Sequence, residues 1–334
     1  MLVDTSFLAY RTAMDLLSDV LRDLRLESTV FCLFELSAPW GLRKDSLEAA
    51  PFHVVIEGRC WLQLKGEKGI ELTTGDLVVL PHGDEHTLSS SKSASTVPFK
   101  TVLQRHGITE AWKPGKRVHR PIEIRFGSSK GELTRVVSGV FGFRDRRRNP
   151  VLDALPRLMR VSGEHGRGKP WLEGALRLLI DEAFSQVPGA TTIVERAADI
   201  VFVQAVRAHI ASARPVSGGW LRGLLDPQIG RALGLVHASP ALPWTIGALA
   251  QKVGLSRTIF AERFRRLVGE TVMAYVTGRR MHVAAGLLCT ENDALAQIAR
   301  RVGYASEVAF SKAFSAWADE PPGRYRLRMR AASA

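Results

Sequence analysis

Two copies of one short pattern lie in the last third of the chain, and they restrict its fold more than any other feature. The first runs Leu249-Ala250-Gln251-Lys252-Val253-Gly254-Leu255-Ser256 and continues to Phe260 and Phe264. The second runs Ile298-Ala299-Arg300-Arg301-Val302-Gly303-Tyr304-Ala305-Ser306 and continues to Phe310 and Phe314. In each, apolar residues recur at helical spacing, a glycine can stop the helix, a serine can cap the next, and two phenylalanines share a face. That is the pattern of a helix-turn-helix, present twice. The glycines stand 49 positions apart and the serines 50, because the second turn carries one extra residue, Ala305.

Each copy divides into an inward and an outward face. Thr245 can cap a helix whose core side is Ile246, Leu249, Ala250 and Val253. Ser256 caps the next, with Ile259, Phe260, Phe264 and Leu267 expected inside. The outer side then carries Arg257, Thr258, Ala261, Glu262 and Arg265. In the second copy Ser306 caps, Phe310 and Phe314 pack inward, and Glu307, Val308, Ser311 and Lys312 face out. The second helix of such a pair enters the major groove of DNA. Arg257 and Arg265 suit phosphates, Thr258 and Ala261 a thymine methyl, and Glu262 the amino group of cytosine. A helical hairpin with a solvated charged face would explain one copy equally well; two copies favour double-stranded DNA. Met273 to Cys289 reads as one long helix that sets the two recognition helices about one turn of DNA apart.

Charge agrees with this reading. The chain carries a formal net charge of +13. From Ala241 to Ala334 there are 14 Lys and Arg against 7 Asp and Glu, a net of +7. More than half of the excess therefore sits with the tandem motif, as a polyanionic partner requires.

Length and composition bound the rest. At 334 residues the chain can hold more than one core, and 46% hydrophobic with 24% charged residues exclude a disordered chain. No apolar run reaches membrane-spanning length, and Met1 to Asp19 lacks the basic, apolar, small-residue order of a secretion signal. A soluble, cytoplasmic protein with no membrane partner is expected. Cys32, Cys60 and Cys289, odd in number and widely spaced, suit buried thiols in a reducing compartment.

From about Thr29 to Thr87 the texture is that of strands and tight turns. Trp61 to Leu64 alternates, Gly66 to Gly69 offers a turn, and Leu77 to Leu80 is an apolar run; Ile122 to Phe126 and Leu133 to Phe143 extend the signal. A charged connector at 144–150 and a glycine-rich loop at 163–170 follow. Helices are expected at Trp171 to Gln186, Thr192 to Ala211 and Trp220 to His237, with Pro215 to Gly219 as a break. The broad apolar face of the second can cover a sheet or form a two-fold dimer contact.

From Trp244 to Arg326 the chain resembles the AraC/XylS family of bacterial transcription regulators. The likeness rests on Gly254-Leu255-Ser256 with Phe260 and Phe264, on Arg280-Met281, and on Gly303-Tyr304 through Phe314 to Pro322 and Tyr325-Arg326. Two positions depart from the usual pattern, Asp319 for a glycine and Lys312 for an arginine. The amino-terminal half resembles the cupin-type sensor domain of one branch of that family. Glu35 to Gly41, Phe52 to Gly58 and Gly75 to Pro81 carry this likeness, with Asn149-Pro150, Leu155-Pro156 and Asp226-Pro227 further on.

The fold class expected is α+β multidomain. A cupin-like β-barrel spans 1–145, a helical linker and dimerisation region 146–237, and an all-α tandem helix-turn-helix domain 238–334. The resemblance implies a small-molecule effector in the barrel, a homodimer, and RNA polymerase as a partner if the protein activates. Inward strand positions His53, Trp61 and His86 are the effector-binding candidates, each equally able to be barrel packing.

No catalytic residue, metal ligand or cofactor is expected. Gly75, Pro81, Gly83 and His86 match the second cupin motif, but the stretch from Trp40 to Gly58 offers only His53 and no His-x-His, whereas a catalytic metal needs three or four converging ligands. His82 and His86 are read as loop histidines held by hydrogen bonds, and Cys60 as core. The rival readings are a metal-dependent cupin enzyme, an oxygenase or isomerase with a helical tail, and a barrel that only dimerises.

Overall fold

The computed structural model describes residues 16–21, 24, 26–108, 121–128, 130–143, 149–163, 170–185, 187–212 and 219–331. The connector expected at 144–150, the loop at 163–170 and the break at 215–219 lie mostly outside them, as does Met1 to Asp19 up to residue 15. Among the described residues no helix is long and apolar enough to cross a membrane. The chain forms two compact units, one from 25–144 with 155–213, the other from 1–24, 145–154 and 214–334.

The first unit is built on two sheets. One is six-stranded, in the order β11 (Met159–Val161), β6 (Leu77–Val79), β3 (Ala50–Glu57), β10 (Leu133–Phe143), β1 (Leu26–Ser37), β9 (Ile122–Gly127). The other is five-stranded, in the order β5 (Ile70–Thr73), β4 (Arg59–Leu64), β7 (His86–Ser89), β2 (Gly41–Lys44), β8 (Val97–Pro98). Pairing is antiparallel except β1 with β9 and β2 with β8. The strand signals of the sequence thus fall on β4, β6, β9 and β10.

Alternation along these strands places Phe34, Leu36, Leu42, Val55, Cys60, Leu62, Val78, Leu88, Ile124 and Val136 in one shared core. Helix α2 (Phe99–Arg105) adds Val102 and Leu103. The opposite face of the six-stranded sheet is covered by α5 (Ala190–Ser212), where Phe202 meets Phe141 at 5.0 Å between ring centroids and Phe141 stacks on Phe52 at 4.5 Å. Helix α4 (Pro170–Phe184) packs beside α5. Cys32 and Cys60 are buried and desolvation pushes both thiols up to about 12, whereas Cys289 in the other unit is only half-buried.

The second unit is helical. It comprises α1 (16–21), α3 (Pro150–Ala154), α6 (Trp220–Leu225), α7 (Pro227–Ala238), α8 (Ile246–Lys252), α9 (Arg257–Val268), α10 (Val272–Thr290), α11 (Leu295–Arg301), α12 (Glu307–Ala318) and α13 (Pro322–Ala331). The single helix expected from Trp220 to His237 is broken in two. Asp226 ends α6 and caps α7 by accepting from the amides of Gln228 and Ile229, with Pro227 in the first helical turn.

Candidate nucleic-acid interface and a buried histidine pair

The two motifs fold as capped helix pairs of matching construction. Thr245 accepts from the Ala248 amide, Ser256 from Ile259 and Ser306 from Ala309. Ala294 has no side chain to cap α11; there Gln297 accepts from the Ala294 amide instead. Gly254 and Gly303 take φ of 72° and 86°, the left-handed conformation that turns the chain between helices. Fifty residues apart, Gly269 and Asp319 close α9 and α12 in the same conformation. Asp319 holds φ 58° without glycine's freedom, so the last turn keeps its shape despite the substituted residue.

The inner faces are apolar and full. Leu249, Phe260, Phe264 and Leu267 are buried, and their counterparts Ile298, Phe310, Phe314 and Trp317 are buried likewise. Ring pairs run through each core, Phe264 edge-on to Tyr275 at 5.7 Å and Phe314 edge-on to Tyr325 at 5.3 Å. Ile259 departs from expectation: it is 54% exposed. It directly precedes Phe260, and one residue is 100° of helix, enough to carry it off the core side.

The outer faces carry the residues picked out by the sequence. Ser256, Arg257, Thr258, Glu262 and Arg265 are exposed, and Ala261 is half-exposed. Ser306, Glu307, Val308 and Lys312 are exposed, with Ser311 half-exposed. Two more residues share the first face, Ile259 and Arg266; Arg266 was legible from its position beside Arg265.

The arginines of this unit divide into two groups. Arg263 forks onto Asp226 at 2.6 and 3.2 Å and reaches Gln228 at 2.7 Å, tying α9 to α7. Arg280 donates to the carbonyls of Pro240 and Leu242, both at 2.8 Å. Arg301 pairs with Glu291 and Asp293, Arg328 with Glu320, and Arg330 with the Glu291 carbonyl and Asn292. By contrast Arg257, Arg265, Arg266 and Lys312 have no ion pair among the described residues, and each is exposed. Positive charge on the outer faces is therefore left for a partner from outside.

The other unit holds a second constellation in its core. His53 on β3 and His86 at the start of β7 point inward, both fully buried, with their Nε2 atoms 2.9 Å apart. His86 Nδ1 lies 2.8 Å from the Asp84 carbonyl, and His53 Nδ1 lies 2.6 Å from Ser138 Oγ on β10. A carbonyl only accepts, so His86 donates from Nδ1 and its Nε2 is bare. His53 then donates from Nε2, and its Nδ1 accepts the Ser138 proton.

Both imidazoles are neutral in this arrangement. Burial, with Lys44 nearby, holds His53 well below the usual imidazole range and pushes His86 down to about 4. Lys44 on β2, its ammonium 4.9 and 4.7 Å from the Phe34 and Phe99 ring centroids, is itself lowered to about 8 by burial. Among the described residues no three His, Cys, Asp or Glu side chains gather as a metal group.

Trp61 does not join this pair, contrary to its expected inward position. On β4 the inward residues are Cys60, Leu62 and Leu64, and Trp61 stands between them on the other face, with the Lys92 ammonium 4.3 Å from its ring. His82 lies in a turn outside the core, where its Nε2 donates to the Leu155 carbonyl at 2.8 Å.

Comparison with known proteins assigns both units. A cupin family model matches residues 15–211 and a helix-turn-helix domain model matches residues 249–328. A putative AraC-like transcription regulator of Streptomyces lividans is 33% identical over 319 residues, 94% of this chain and 98% of that one. The transcriptional regulator AlkR of Acinetobacter baylyi is 28% identical over 94% of this chain and 99% of its own length. The activator RclR of Escherichia coli is 27% identical, covering 95% and 99%. With a cupin domain ahead of a DNA-binding helix-turn-helix domain, the chain belongs to the AraC-type family of transcription regulators.

Proposed function

We propose that this chain is a cytoplasmic regulator, without enzymatic activity, that reads DNA through Ser256, Arg257, Thr258, Ala261, Glu262 and Arg265 on α9 and through Ser306, Glu307, Val308, Ser311 and Lys312 on α12. The observation that carries this reading is the division of the arginines: structural ones are tied to carbonyls and carboxylates, while those on the outer face of α9 are exposed and have no ion pair among the described residues. Segment 1–145 senses, 146–237 couples and dimerises, and 238–334 reads. Ile193 and Ile200, 41% and 52% exposed along α5, support a contact with a second copy. The effector acts at the polar cluster of His53, His86, Ser138 and Lys44, and an activating mode requires contact with RNA polymerase.

Binding to a selected duplex, followed by fluorescence anisotropy across a salt series, tests the assignment. Arg257→Ala and Arg265→Ala each weaken binding to every sequence and lower the slope of log affinity against log salt by about 1. Glu262→Ala leaves affinity for random DNA nearly unchanged and relaxes preference at one base position, by about 1–3 kcal/mol of discrimination. An unchanged preferred sequence in Glu262→Ala contradicts the placement of that face on the bases.

A further inference from the structure

The helical unit contains a cavity of about 840 Å³. Its walls come from α10, the helix between the two motifs, from α12, the second recognition helix, from α6 and α7, and from α1 and α3, with Asp153 and Glu270 among the lining residues. That volume lies in the range of small-molecule sites.

Among the buried polar atoms of the wall that lack a hydrogen-bond partner within the described residues are Trp317 Nε1 and His237 Nδ1. Among the described residues Trp317, 6% exposed, has no acceptor for its Nε1 proton, and His237, 8% exposed, has no hydrogen-bond partner at Nδ1. The protonation of His237 follows from its neighbours. Trp220 donates Nε1–H to the Tyr275 hydroxyl at 2.7 Å, and that hydroxyl lies 2.7 Å from His237 Nε2. With the phenol proton given to Nε2, the imidazole proton sits on Nδ1. Burial, with Arg279 and His282 nearby, pushes the ring down to about 2 and keeps it neutral. The wall presents the Trp317 N–H and, in that tautomer, the His237 Nδ1–H, each costing stability while it goes unanswered.

Gly278 adds an independent observation. It lies inside α10, where glycine costs about 1 kcal/mol against alanine. A Cβ there would meet nothing within 4 Å, so no neighbouring backbone requires the glycine; the space it leaves is the cavity.

The geometry points to a ligand site in the DNA-binding unit itself, taking a flat aromatic molecule that carries a carboxylate. A carboxylate accepts and never donates, matching donors at His237 and Trp317, and the Arg279 guanidinium lines the same cavity as the carboxylates Asp153 and Glu270. The apolar body lies against Met273, Val268 and Ala313. Because the occupant touches both α10 and α12, it biases how the second recognition helix meets DNA.

The test is calorimetric titration of 1-naphthoate, and separately of naphthalene-1-methanol, into the full-length protein without DNA. The site predicts one saturable naphthoate per chain and much weaker binding of the alcohol. Trp317→Phe keeps the ring and loses the donor, weakening naphthoate about tenfold. Gly278→Phe fills the cavity and abolishes binding while the melting temperature holds or rises. No saturable binding, equal binding of the alcohol, or binding that survives Gly278→Phe would each overturn the site. Since no DNA is present, these outcomes stand apart from the DNA-reading assignment.

Discussion

At the scale of single residues, the two turn glycines look alike and carry different loads. Gly254 and Gly303 both hold positive φ, but a Cβ on Gly254 meets nothing within 4 Å, whereas on Gly303 it lies 2.5 Å from the Ala241 carbonyl oxygen. Gly254→Ala is expected to cost about 1 kcal/mol of left-handed strain alone. Gly303→Ala adds displacement of a carbonyl-bearing segment that Arg280 clamps through Pro240 and Leu242, and should cost at least twice as much. Thermal unfolding of the two variants checks this; equal losses would show that the Ala241 segment yields freely. Caps and glycines were legible in the sequence because they act on amides within a few residues. Ile259 was misplaced because its apolar character argued against the helical angle that separates it from Phe260. Trp61 was misplaced by one step of strand alternation between Cys60 and Leu62.

At the scale of elements, the chemistry lies where strands or helices far apart in sequence meet, and there the sequence was silent. The Arg263 to Asp226 fork joins residues 37 apart, and the Trp220 to Tyr275 bond spans 55. Nothing in local pattern pairs such positions, so the attachment of α6 and α7 to α9 and α10 was not readable. The His53 to His86 pair was half legible: both histidines were named as inward candidates, but that they meet, and the role of Ser138, needed the strand register, Ser138 opposite His53 and Leu64 opposite His86. This pair has a consequence for pH. Both imidazoles titrate below the unfolded value near 6.5, so the unfolded chain binds more protons as the medium acidifies. Their contribution is complete above pH 6.5 and is lost as pH falls towards 4, the value of His86. Urea midpoints from pH 7.5 to 4.5 should therefore fall, and His53→Gln should flatten the decline. A decline equally steep in His53→Gln would place its origin elsewhere.

At the scale of the whole molecule, a mainly antiparallel cupin unit and a helical unit with two matched motifs share one chain of net charge +13. Their coexistence, and the class of each, was readable because period-two strands and capped helix pairs leave different marks on a sequence. The cupin unit and the helical unit can influence one another only if an occupant favours one arrangement over another. The central claim, that both motifs read one duplex, is tested most directly by selecting binding sites from random duplex DNA with the full-length protein. The account predicts enrichment of two short blocks about one helical turn apart, with the block read by α9 altered in Glu262→Ala. Recovery of a single block, or of none, would contradict it.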